Sequence, residues 1–139
     1  MKTLKHSLIL LLSVVVFASC SKKEDAVNPD AGVEVSGTYT VTQLRTDDGK
    51  TYSIQPGYTK KIEVVRLSEN KIDMTIEFNE PNKTPNRVHI TDAVTLNRAG
   101  QIITLHTPSG DQVGEYSARI IQLKFVENGQ AGTFVATKQ

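Results

Sequence analysis

The chain has 139 residues, with 16 basic against 15 acidic side chains, one cysteine and no tryptophan. A near-neutral balance offers no clustered basic face for nucleic acid, and a lone cysteine excludes a disulfide within the chain. Threonine and the β-branched residues are abundant, a mixture that favours strands over helices.

Lys2 and Lys5 precede a ten-residue apolar run from Leu8 to Phe17, broken only by Ser13, and Phe17-Ala18-Ser19-Cys20 closes it. Positive charge, apolar run and small residues in that order read as a secretory signal over residues 1–19. The run is about half of the roughly 20 apolar residues that a membrane-spanning helix needs. A cysteine directly behind the small residues resembles the lipobox of bacterial lipoproteins, with Phe17 where that motif usually has Leu or Val. The resemblance implies a diacylglyceryl group on the Cys20 thiol, cleavage before it and acylation of the new N-terminus. It also implies a lipid anchor in the outer membrane of a Gram-negative bacterium, on the periplasmic or the cell-surface side. Two or more acyl chains anchor stably where one binds only marginally. The other reading of Cys20 is a small apolar residue of a signal cut elsewhere. Loss of residues 1–19 removes Lys2 and Lys5 and leaves 14 basic against 15 acidic side chains, a net charge of −1.

Residues 20–35 are charged and aperiodic and include Pro29 and Gly32, which predicts a flexible tether behind the anchor. Its start, Ser21-Lys22-Lys23-Glu24-Asp25, fits either a generic solubilising linker or the short charged stretch that directs some lipoproteins to the cell surface. Residues 36–139 then form one domain of short strand signals. Residues 37–46 lead to Asp48-Gly49, a tight-hairpin signal, and Thr51 to Ile54 make a short partner that ends at Pro56-Gly57. Residues 59–67 follow. Ile72, Met74, Ile76 and Phe78 alternate with Asp73, Thr75 and Glu77, one buried face against one wet face. Residues 79–86 hold two prolines and no apolar side chain and read as an exposed loop. Strands over 87–96 and 101–107 flank Asn97-Arg98-Ala99-Gly100, a long strand runs from Glu115 to Val126, and residues 132–138 follow Asn128-Gly129. Eight strands joined by sequential hairpins predict an all-β fold, an eight-stranded antiparallel up-and-down barrel, with a two-sheet β-sandwich as the alternative.

Gly37-Thr38-Tyr39 opens the first strand behind the lead, and with the meander it resembles the bacterial lipocalin-like domains that follow lipoprotein signals. That resemblance covers residues 36–139 and has Tyr39 where the family often has tryptophan. It implies an aromatic closing the barrel floor and an apolar pocket for a small lipophilic molecule. The pocket would draw on Tyr39, Val41, Met74, Ile90 and Leu123, with Ile62, Val64, Ile76, Val94, Leu105 and Phe134 around them.

No catalytic or nucleotide motif appears in the chain, so neither enzyme activity nor a cofactor is expected. Asp73 and Glu77 share the wet face, which lacks the cleft that paired carboxylates would need. His89 and His106 fall on the wet face of their hairpin. A register pairing Thr91 with His106 would set them diagonally, about 7–8 Å apart, but no third ligand joins them and no metal site is expected. Strict alternation turns Asp92 and Arg119 inward, where an isolated charge costs several kcal/mol. Three readings stay open: an internal ion pair, capture of a ligand carboxylate by Arg119, or a bulge that returns both to solvent.

Two functions follow. One is a membrane-anchored lipoprotein whose barrel binds a small lipophilic ligand. The other is a filled β-domain serving as adaptor, inhibitor or accessory subunit of an envelope complex, through loops such as 80–86 and 56–58. An apolar cavity of roughly 300 Å³ or more separates the first from the second. Cys20→Ala is expected to release the protein from membranes without unfolding it. Fractionation with circular dichroism checks this, and a variant that stays membrane-bound overturns the anchor.

Overall fold

A computed structural model describes residues 29–127 and 129–139, apart from the side chains of Thr91, Asp92 and Glu127. The expected signal, Cys20 and residues 21–28 of the expected tether lie outside the described residues. The order is α1 (Ala31–Val35), β1 (Gly37–Thr46), β2 (Thr51–Ser53), β3 (Thr59–Ser68), β4 (Lys71–Asn79), β5 (Asn86–Ala99), β6 (Ile102–His106), β7 (Gln112–Ser117), β8 (Ile120–Glu127) and β9 (Gln130–Lys138). From β3 to β9 each strand pairs antiparallel with the next. β1 pairs with β3 on one side and with β9 on the other, from Tyr39 opposite Lys138 to Thr46 opposite Gly132. The sheet therefore closes on itself as an up-and-down barrel of eight strands, β1 and β3 to β9. The β-sandwich alternative does not form.

Which eight strands close the barrel differs from the sequence reading in two places. β2 is too short to be a stave and lies beside the far half of β1, pairing Gln43 to Arg45 with Ser53 to Thr51. The long strand expected over 115–126 is instead two, split at Ala118 and Arg119 with φ of 49° and 67°. Two successive positive φ values are the signature of the tight hairpin turn whose twist matches its strands. Neither residue is the Gly, Asn or Asp that usually marks such a turn, so the sequence gives no warning of it.

Alternation governs burial as expected. Ile72, Met74 and Ile76 are buried on β4, opposite inward residues of β3 such as Ile62 and Val64. The outer face carries Glu77 and Glu63 bridged to Arg87, and Asp73 paired with His89 at 2.5 Å. An apolar interior with an ionic exterior is the pattern of a barrel in water, the reverse of a porin-like one.

Residues 31–35 are not part of a flexible tether. Asp30 caps α1, accepting from the Val33 amide at 3.0 Å, and the helix lies across one end of the barrel with Val35 fully buried. Gly32 permits this approach: a Cβ there would meet the Ser68 carbonyl oxygen at 2.2 Å, while the Gly32 amide donates to the Glu69 carbonyl at 2.8 Å. Arg66 grips the second Asp30 oxygen with two nitrogens, at 3.1 and 2.5 Å. Arg98 pairs with Glu34, and Lys138 donates to the Glu34 carbonyl at 2.8 Å. Beneath the helix Tyr39 is fully buried, its hydroxyl donating to the Val35 carbonyl at 2.5 Å and its ring meeting Tyr116 edge-on at 6.4 Å. Burial pushes both phenols above their ordinary pKa. Tyr39 thus fills the closed end of the barrel, the place that the lipocalin-like resemblance implies for its aromatic ring. The aperiodic composition that reads as a tether conceals a five-residue helix, because so short an element shows no helical period.

The Arg66 hydrogen bond holds the Asp30 carboxyl below the ordinary carboxylate range. A carboxyl more acidic in the folded state adds stability above its unfolded pKa and loses it as pH falls through the folded value. The grip on α1 is therefore expected to be complete at neutral pH and to weaken below about pH 4. Asp30→Ala is expected to flatten that acid limb in denaturation midpoints taken from pH 6 down to pH 2. An unchanged limb would show that the pair holds nothing.

A candidate ligand cavity at the open end

The end opposite α1 is formed by the connections 47–58, 80–85 and 107–111 and by the facing ends of β8 and β9, and here the barrel is incomplete. β5 is 14 residues long and β6 only 5. Their ladder covers Thr95 to Ala99 of β5 and stops at His106. From Asn86 to Val94, β5 pairs with β4 alone among the described residues. The register also slips twice against β4, leaving Ile90 without an opposite residue and 92–93 together where one residue would fit. Ala93 takes a positive φ of 48° at this bulge. The free stretch of β5 therefore leaves a slot facing β7 and β8.

Behind the slot lies a cavity of about 360 Å³. Met74, Ile76, Ile90 and Leu123 line its depth, and Phe78, Phe125 and Phe134 its upper wall. Phe125 stacks on Phe134 with centroids 4.3 Å apart and planes at 15°. Gly132, opposite Phe125 in the ladder, makes room for that stack. Val88 and Val126 flank the slot at 46% and 75% exposure, high for aliphatic side chains on strands. A larger and more polar hollow of about 690 Å³ continues past Phe78 toward Tyr58 and the Glu80–Lys83 ion pair.

Lys60 lines the larger, polar hollow, and its ammonium reaches two rings that also wall the apolar cavity. It pairs with Phe78 in the ladder two residues before Ile62, so alternation turns it to the inner face. Its ammonium lies 5.1 Å from the Phe78 centroid and 5.0 Å from that of Phe134. Two ring faces at that distance hold a cation by their quadrupoles. Among the described side chains it has no carboxylate partner.

Of the residues singled out in the sequence, Met74, Ile90 and Leu123 come together in the cavity, with Ile76 and Phe134. Tyr39 and Val41 are packed core and do not line it. Arg119 is not inward at all: it is exposed in the β7–β8 turn at the closed end, donating to the Gln139 carbonyl at 3.2 Å. The turn ends the strand just before the position where alternation would have buried it, so ligand capture by Arg119 is ruled out. Asp92 sits in the β5 bulge, outside regular alternation, and its side chain lies outside those described. The histidines are not diagonal neighbours either. His106 pairs with Thr95, not Thr91, and bonds the Gly110 carbonyl and Thr104, while His89 is held by Asp73. The sequence reading passed over Lys60, although Lys60, Ile62 and Val64 share one parity. It also missed Val88 and Phe125 as cavity wall.

No family model matches the chain, and no curated protein does. Two solved structures resemble it. One is a redesigned β-barrel, 16% identical, spanning 81% of this chain and 97% of its own, with a TM-score of 0.50. The other is a de novo designed fluorescence-activating β-barrel, 15% identical over 79% of this chain and 98% of its own, with a TM-score of 0.45. At such identity the likeness is one of fold.

Gly132→Ala tests the cavity wall. A Cβ there would stand 2.6 Å from the Phe125 ring and 2.7 Å from the Arg45 carbonyl oxygen, and the second is backbone and cannot swing away. Overpacking of this kind is expected to cost about 1–3 kcal/mol, read as a lowered urea midpoint. An unchanged midpoint would mean that the stack has room to spare.

Proposed function

We propose that this protein is a lipid-anchored lipoprotein of the outer membrane whose lipocalin-like barrel binds a small lipophilic ligand at its open end. The single observation that carries the binding role is the apolar cavity of about 360 Å³ behind the slot beside β5. Its volume falls within the range of small-molecule sites, and its wall is aliphatic and aromatic with few polar groups. The short N-terminal helix, the buried Tyr39 floor and the open opposite end support the lipocalin-like reading. The sequence around Cys20 supports the anchor. The activity is binding, not catalysis.

A second reading, an adaptor for another envelope protein, draws on the unpaired stretch of β5 and on exposed Val88 and Val126. A free strand edge is a template for an added strand.

Native mass spectrometry of the protein extracted from its own membrane separates the two. A co-purifying lipophilic molecule is expected on the wild type and expected to be lost from Ile90→Trp, whose larger side chain would occupy the cavity. A bare protein together with a co-purifying subunit would overturn the carrier reading in favour of the adaptor.

A further inference from the structure

The charge at the cavity mouth identifies the kind of ligand. Resting on the carrier reading above, we propose that the ligand is a single-chain amphiphile with an anionic head, its tail among Met74, Ile90 and Leu123 and its head at the Lys60 ammonium. Three observations point the same way. First, Lys60 is one of two consecutive lysines at the start of β3, and the strand treats them oppositely. Lys61 faces outward, where its charge adds to the Arg87 hydrogen bond that chiefly holds the Glu77 carboxyl below its ordinary pKa, and Lys60 faces inward beside Phe78 and Phe134. A lysine on the inner face of a strand would ordinarily be an error of patterning, since a cation taken from water needs compensation.

Second, the compensation present is incomplete. Phe78 and Phe134 cradle the ammonium at 5.1 and 5.0 Å, but ring faces accept no hydrogen bond of ordinary strength, and an ammonium has three donors. Third, among the described residues the cavity wall carries no acidic side chain. Its ionisable members are His89, already bound to Asp73, and Lys124 at the rim. A carboxylate or sulfate head beside Phe78 would therefore meet the Lys60 ammonium, and the acidic side chain that shares the hollow with Lys60, Glu80, is already paired with Lys83. The tail would meet a wall of the opposite character directly beneath.

Binding of dodecanoate and of dodecanol, equal in chain length and different in head charge, tests this by displacement of an environment-sensitive fluorescent probe. The wild type is expected to prefer dodecanoate by roughly tenfold or more, the usual worth of a charge-assisted hydrogen bond. Lys60→Met is expected to abolish that preference while leaving dodecanol within about twofold. Lys60→Arg is expected to retain it, and Lys61→Met on the outer face to change nothing. If both ligands bind the wild type equally, or if Lys60→Met keeps the preference, the anionic-head inference is overturned and the carrier reading survives. If neither ligand binds the wild type, both fall together. Lys60 is only half-buried, and thermal melts of each variant confirm that the barrel is intact.

Discussion

The unequal lengths of β5 and β6 determine most of what is distinctive in this barrel. A closed sheet satisfies its backbone by pairing every strand on both sides. Here a 14-residue strand meets a 5-residue neighbour, so complete closure is impossible at one end. Among the described residues Asn86 to Val94 of β5 are left over on that side, and the two register slips against β4 are where the leftover chain is bent to follow the barrel wall. The slot and the exposure of Val88 and Val126 follow from that mismatch. So does access to the cavity. At the other end every strand finds its partner, and the small remaining opening is filled by Val35, Tyr39 and Tyr116.

The two ends also differ in how charge is handled. At the closed end, Asp30, Glu34, Arg66, Arg98 and Lys138 meet in pairs or on backbone carbonyls, and their joint effect is to fasten a helix too short to be stable alone. Lys138 lies 6.0 Å from the Tyr39 ring and is partly desolvated there, which lowers its pKa. At the open end Lys60 has two aromatic faces. A cation whose surroundings supply less than it can bind is a recognition element; one whose surroundings supply enough is a fastener.

Much of the barrel was legible in the sequence because its strands are two-sided. Ile72 to Phe78 alternate without exception, Asp48-Gly49 stands where β1 turns toward β2, and the hairpin around Gly100 lies where β5 meets β6. The failures share a physical cause. The turn at Ala118-Arg119 uses residues that rarely take positive φ, and the bulges at Ile90 and 92–93 interrupt the alternation on which inward assignment depends. Arg119 was misplaced by the first, and Asp92 was removed from regular register by the second. Lys60 shares the inward parity of Ile62 and Val64, but the rings that cradle it, Phe78 and Phe134, come from other strands and meet it only in the fold. Of the cavity wall, the aliphatic depth was readable from alternation. The slot was not, because nothing local reveals that a neighbouring strand stops short.

The pairing of β1 with β9 has a consequence in time as well as in space. Val41 lies opposite Ala136, so the ladder that completes the barrel joins the beginning of the domain to its last few residues. Contacts of such long sequence separation form late, since the chain must first lose the entropy of a loop as long as the domain. Until β9 arrives, β1 has a bare edge and the core is open along one seam. The domain is therefore committed to its fold only once the whole chain is present, and a chain lacking even its last strand would expose the apolar faces of β1 and β8.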